Sequence, residues 1–100
     1  MYKMRKVNFS ETAVKNLEDI KFYLISKWSE RVYGNFKTKL SENISLIATN
    51  PEAFPKSNKN IYKCVLSKQT TIYYKYNSKQ IRILSLFDTR QKPTKINKIK

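Results

Sequence analysis

The spacing of apolar residues changes at Asn50-Pro51, and that change constrains the fold more tightly than any other feature of the sequence. Before it, Ala13, Leu17, Ile20, Leu24 and Trp28 recur at intervals of 4, 3, 4 and 4, and Val32, Phe36, Leu40, Ile44 and Ile47 at 4, 4, 4 and 3. Each set draws one stripe along a helix of 3.6 residues per turn. Ser10 and Ser29 stand where N-caps belong, and Glu11 faces the first helix dipole. Asn50 ends the second helix, because a residue before proline is pushed out of the α region. The short link between the stripes predicts an antiparallel helical hairpin, with Trp28 packed on the second helix or the sheet. After a loop with two prolines, Ile61–Ser67, Thr70–Tyr76 and Gln80–Phe87 are rich in Val, Ile, Thr, Tyr and Phe. They read as strands joined by hairpin-length breaks. A further strand, about Lys3–Phe9, precedes the helices, with Arg5, Val7 and Phe9 alternating.

The order β-α-α-β-β-β predicts an α+β fold: an antiparallel twisted sheet with an N-terminal helical hairpin packed on one side. In the last strand Ile81, Ile83, Ser85 and Phe87 alternate with Arg82, Leu84, Leu86 and Asp88. Both faces are largely apolar near its end, so this strand is expected to be central. One hundred residues make one domain, assigned here to 1–90, with 91–100 as a basic C-terminal tail.

Charge comes next. There are 21 Lys and Arg against 7 Asp and Glu, a net charge of +14. Residues 1–50 carry +4 of this and residues 51–100 carry +10, so the positive field sits mostly on what the second half builds. Such a domain suits phosphate polymers or an acidic protein partner. No apolar run approaches the roughly 18 residues of a membrane span, and the N-terminus has no signal-like apolar region. A cytoplasmic protein without membrane association is expected.

The chain has no His and one Cys. Catalysis through an imidazole base and Cys/His zinc sites are therefore excluded, and no metal or cofactor is expected. Cys64, inside an apolar run, reads as a small core residue. Any chemistry would fall to Lys, Arg, Tyr, Asp or Glu.

This order of elements, at this length and charge, resembles the RelE/ParE superfamily of bacterial type II toxins. The likeness is carried by Phe9-Ser10-Glu11 ahead of Ala13 and Leu17, by the proline loop, by Ile61-Tyr62-Lys63 and Thr71-Ile72-Tyr73-Tyr74, and by Ile81-Arg82-Ile83-Leu84-Ser85-Leu86-Phe87-Asp88-Thr89-Arg90. The resemblance implies a growth-inhibiting toxin neutralised by a cognate antitoxin, which is expected to be acidic. It implies one of two targets: DNA gyrase for ParE-like members, or messenger RNA on the ribosome for RelE-like ones. The Phe87–Arg90 ending resembles the ParE-like branch. Several RNA-cutting members carry His-Tyr where this chain has Thr89-Arg90. If the chain is an enzyme, it would be a metal-independent endoribonuclease. A non-toxic nucleic-acid-binding module fits the charge equally but lacks any recognisable motif.

Candidate catalytic residues are Arg90, Lys63 and Arg82. Candidates for binding target or nucleic acid are Lys63, Lys68, Lys75, Tyr73, Arg82 and Arg90. Arg90 closes the matching motif, and a guanidinium past a strand end suits phosphate or carboxylate. Lys63 and Lys75 could equally be the solvated face of a sheet, and Tyr73–Tyr76 could be core packing. Asp88 reads as a surface ion pair with Arg90 or Lys92. For the antitoxin, a hydrophobic groove between hairpin and sheet is expected to supply burial.

Overall fold

The computed structural model describes residues 5–89. Arg90, the tail 91–100 and the expected start of the first strand at Lys3 lie outside the described residues. Within them the chain forms β1 (Lys6–Phe9), α1 (Glu11–Lys27), α2 (Glu30–Thr49), a 3-10 turn (Pro51–Ala53), β2 (Tyr62–Val65), β3 (Thr70–Tyr76) and β4 (Gln80–Asp88). Both serines cap as their position demands: Ser10 Oγ accepts from Ala13 N at 3.0 Å and Ser29 Oγ from Val32 N at 3.1 Å. Each satisfies one orphan donor of a first helical turn, worth about 1 kcal/mol.

The sheet runs β1-β4-β3-β2, so the last strand is central, as its two apolar faces require. β2, β3 and β4 pair antiparallel, while β1 joins β4 in parallel at the edge. The hairpin reverses the chain between β1 and the proline turn. The core lies between the helices and one sheet face, with Ala13, Ile20, Leu24, Phe36, Leu40 and Ile47 against Cys64, Ile72, Tyr74, Ile81, Ile83 and Leu86. None of the helices among the described residues is long and apolar enough to cross a membrane.

Three expectations are corrected. Trp28 is not packed: it is 63% exposed. The helix ends at Lys27, and Trp28 leaves it at φ −123° and ψ −87° as the C-cap, so the stripe's last step is not a helical one. The alternation along β4 breaks after Ile83. Tyr74 faces Ile83 but Tyr73 faces Ser85, which leaves Leu84 as an extra residue on β4. Such a bulge shifts the phase of every residue beyond it. Leu86 and Asp88 therefore point inward, and Ser85 and Phe87 leave the buried face. Finally, Asp88 is not on the surface. It is 1% exposed, and its carboxylate accepts from Thr70 Oγ1 at 2.7 Å.

The bulge is fastened to the start of α1. The Ser10 hydroxyl donates to Leu84 O at 2.8 Å while it caps the helix, and Asn16 Oδ1 accepts from Leu86 N at 3.0 Å. Backbone groups that a bulge takes out of the ladder thus find side-chain partners on the neighbouring helix.

Cys64 is the core residue the sequence implied, 1% exposed, with its thiol donating to Asn43 Oδ1 at 3.5 Å. Burial raises its pKa above the ordinary 9.0, and burial first and then nearby ionisable groups raise that of Tyr74 above the ordinary 10.0. Both groups hold their protons more tightly folded than unfolded. Above those ordinary values the unfolded chain binds fewer protons, so the contribution of these two groups is flat below about pH 9 and lowers stability as pH rises further. Urea titrations across that range check this, with Tyr74→Phe as the control. A wild-type loss no steeper than the variant's removes the tyrosine from the account.

Candidate functional site

The face of the sheet turned away from the helices is open. Tyr62, Cys64, Ile72, Tyr74, Val7 and Phe9 point to the core, so their neighbours Lys63, Tyr73, Lys75, Lys6 and Asn8 point outward. Two rows cross this face: Lys63, Tyr73 and Ser85 in one, Lys75, Arg82 and Asn8 in the other. Four of the sequence candidates, Lys63, Tyr73, Lys75 and Arg82, therefore share one surface. Lys68 does not join them. It sits in the β2–β3 turn, at the end of β3 opposite Lys75. Arg90 lies outside the described residues, although Thr89 N donates to Gln69 O at 2.8 Å beside the Lys68 turn.

Lys75 and Arg82 are direct cross-strand partners. Like charges so placed destabilise a sheet by a few tenths to about 1 kcal/mol. Both side chains are exposed and line a hollow of about 230 Å³ with Tyr76, Asn77, Gln80 and Leu84. Leu84 reaches this hollow by ordinary alternation from Gln80 and Arg82, ahead of the phase shift. Asn8 Nδ2 donates to Gln80 Oε1 at 2.6 Å and steadies its rim. Arg5 Nε donates to Asn77 O at 2.8 Å, with its guanidinium 5.4 Å from the Tyr76 ring centroid. Arg5 and the part played by Asn8 were not legible in the sequence, because each meets a partner 72 positions away. Chemically the hollow offers cations, amides and a phenol, a set that holds a phosphate or carboxylate.

The tyrosine run divides between roles. Tyr74 is fully buried, and its hydroxyl donates to Pro51 O at 2.6 Å. Its ring stacks on Tyr62 at 5.6 Å and meets Phe54 edge-on at 6.4 Å. Tyr62 and Tyr76 lie 5.1 Å apart. A hydrogen bond that the Tyr76 hydroxyl gives to Tyr62, and then burial, push the Tyr76 phenol up. Tyr73 alone of β3's tyrosines turns to the open face.

On the other side of the molecule, an apolar groove runs between the two helices. Leu17, Tyr33, Leu40 and Ile44 line a volume of about 350 Å³ with Lys37 and Ser41. The Lys21 and Lys37 ammonium groups lie 5.7 and 5.2 Å from the Tyr33 ring centroid. An apolar floor between ammonium groups suits an amphipathic acidic segment.

Comparison with known proteins agrees with this architecture. Residues 7–93 match the family model described as ParE toxin of type II toxin-antitoxin system, parDE. Among solved structures, the chromosomal ParDE TA system from P. aeruginosa superposes with a TM-score of 0.71 at 12% identity, over 85% of this chain and 96% of that one. The E. coli DinJ-YafQ toxin-antitoxin complex gives 0.60 at 14%, over 91% and 99%. A conserved hypothetical protein from Helicobacter pylori gives 0.58 at 13%, over 87% and 97%. At these identities the structures establish the fold alone. No curated protein matches the chain.

Proposed function

Because this chain belongs to the ParE toxin family of type II toxin–antitoxin systems, we propose that it arrests growth by inhibiting DNA gyrase through its open sheet face and is neutralised by an acidic antitoxin. The observation that carries the site is the Lys75–Arg82 pair. A sheet that keeps two cations directly opposed gives up local stability, and an anionic group in the hollow relieves that repulsion. The gyrase reading draws on the family match and on the chemistry of the face. Lys63, Lys75 and Arg82 can grip an anionic surface, but the chain has no His, the residue whose ordinary pKa suits proton transfer near neutrality.

Ribosome-dependent cleavage of messenger RNA is the second reading. The placing of Tyr73 beside Lys63 on the open face favours it, since a half-buried aromatic ring there offers a base a stacking surface. Purified chain in a gyrase supercoiling assay and in a ribosome-programmed cleavage reaction separates the two. Inhibited supercoiling with intact message supports the proposal. Cleaved message with unaffected gyrase overturns it in favour of the nuclease.

For the antitoxin, the groove on the helical hairpin supplies burial and the net charge of +14 supplies steering. The chain is expected to co-purify with its acidic partner from the native operon at nanomolar affinity, and the association rate falls as salt rises. A chain that elutes alone and leaves cells unharmed ends the toxin reading for this copy. Tyr33→Glu, which sets a carboxylate on the groove floor, weakens capture at least about tenfold.

A further inference from the structure

Helix α1 carries a second apolar surface that neither the core nor the groove uses. Phe22 is 75% exposed and Trp28 63%, with Val14 at 44%. Around Phe22 a hollow of about 290 Å³ is lined by Glu18, Lys21, Ile25 and Ser26. Phe22 and Ile25 sit one turn apart, Trp28 follows just past the helix end, and Val14 lies about 12 Å before Phe22 along the helix at 1.5 Å per residue. Large apolar side chains exposed together within a polar rim, as Phe22 and Trp28 are beside the half-buried Ile25, mark an interaction site.

Charge decides what can cover it. In a chain of net +14, α1 is neutral: Glu11, Glu18 and Asp19 balance Lys15, Lys21 and Lys27. A nucleic acid or an acidic peptide gains nothing from a neutral face when the open sheet is available. Within α1 the carboxylates fall in the first half and Lys21 and Lys27 in the second. A helix so arranged complements itself when turned end for end. Helix dipoles also oppose in that arrangement. The basic sheet face lies on the far side of the molecule, so two copies that meet through α1 keep their strongest fields apart.

We propose that the outer face of α1 is a self-association surface, on which a second copy of this chain docks antiparallel about a two-fold axis near Phe22. Such a contact is isologous. The Phe22 ring of each copy seats against Ile25 of the other, Glu18 meets the Ser26–Lys27 turn, and Val14 lies near the exposed Trp28. The groove of Leu17, Tyr33, Leu40 and Ile44 stays open, so pairing of toxin copies and capture by the antitoxin are compatible.

Sedimentation equilibrium of the full chain, without antitoxin, tests this. A monomer–dimer equilibrium in the micromolar range is expected. It tightens as salt rises, because screening relieves repulsion between two +14 copies while the apolar contact is unaffected. Antitoxin capture responds to salt in the opposite sense. Phe22→Glu and Trp28→Glu change exposed side chains, keep the helical circular dichroism, and weaken the dimer at least about tenfold. Both variants stay toxic and are still neutralised. Three results overturn the proposal: a monomer at every concentration, a dimer indifferent to both substitutions, or variants that lose antitoxin binding, which would assign the face to the antitoxin.

Discussion

Tyr74→Ala is expected to leave little folded protein at 37 °C. Its ring is fully buried on β3, between the strands that flank it, and touches Phe54 and Tyr62. Truncating a buried aromatic costs about 3–5 kcal/mol, and domains of this size hold only about 5–15 in total. The hydroxyl has its own part. It donates to the carbonyl of Pro51, the residue that turns the chain out of α2. Tyr74→Phe keeps the ring and leaves that carbonyl unpaired, at a cost of about 1–3 kcal/mol. At about 4–8 °C per kcal/mol the two variants separate clearly in a thermal melt. If Tyr74→Phe melts within a degree of wild type, the hydrogen bond does not hold the turn. If Tyr74→Ala does, the aromatic cluster is not part of the cooperative core.

The second large effect concerns toxicity. Arg82→Glu is expected to abolish growth inhibition, and at the same time to preserve or slightly raise the melting temperature. The two outcomes share one cause. The introduced carboxylate would face Lys75 across the ladder and turn a repulsion into an attraction, a change of about 0.2–1 kcal/mol in favour of the fold. The same exchange removes a cation from the hollow and adds an anion. A functional surface commonly trades stability in this manner. Antitoxin binding through the helical groove is unaffected, so the variant still co-purifies. Viability counts after induction, with melts on the same preparations, read both effects. A variant as toxic as wild type takes the Lys75–Arg82 hollow out of the mechanism, and attention then passes to Lys68, in the turn at the other end of β3. A destabilised variant contradicts the cross-strand argument alone.

How much of this was legible in the sequence follows from the range of each interaction. Ser10, Ser29 and Pro51 bound their helices through contacts a few residues away, and the spacing located them. The limits of β3 followed from composition and flanking turns. Which face each strand presents is another matter. It depends on register with a partner, and one extra residue at Leu84 reversed the outer half of β4. The burial of Asp88 went unread for that reason, because a carboxylate near a strand end is ordinarily solvated. Trp28 was misassigned because a stripe does not say where its helix stops. In the site, Lys63, Tyr73, Lys75 and Arg82 were named from residue type, but their convergence needed the antiparallel register. Arg5 and Asn8 were missed because they reach the hollow from the opposite end of the sequence.

The central place of β4 also governs when the protein comes into being. Synthesis delivers residues in order, and the strand that both β1 and β3 pair with is the last of the described strands to emerge. Until Gln80–Asp88 is free of the ribosome, β1 has nothing to bond to and β3 has only β2. The hairpin of helices can form early from local contacts, but the pairing that brings Lys6 to Gln80 closes nearly the whole described chain and comes late. A ribosome that stalls before Gln80 therefore releases a chain without the row of Lys75, Arg82 and Asn8. On the proposed reading, which places growth inhibition on that row, such an incomplete product is not toxic. An antitoxin already present in the cell thus has the whole time of translation in which to be waiting.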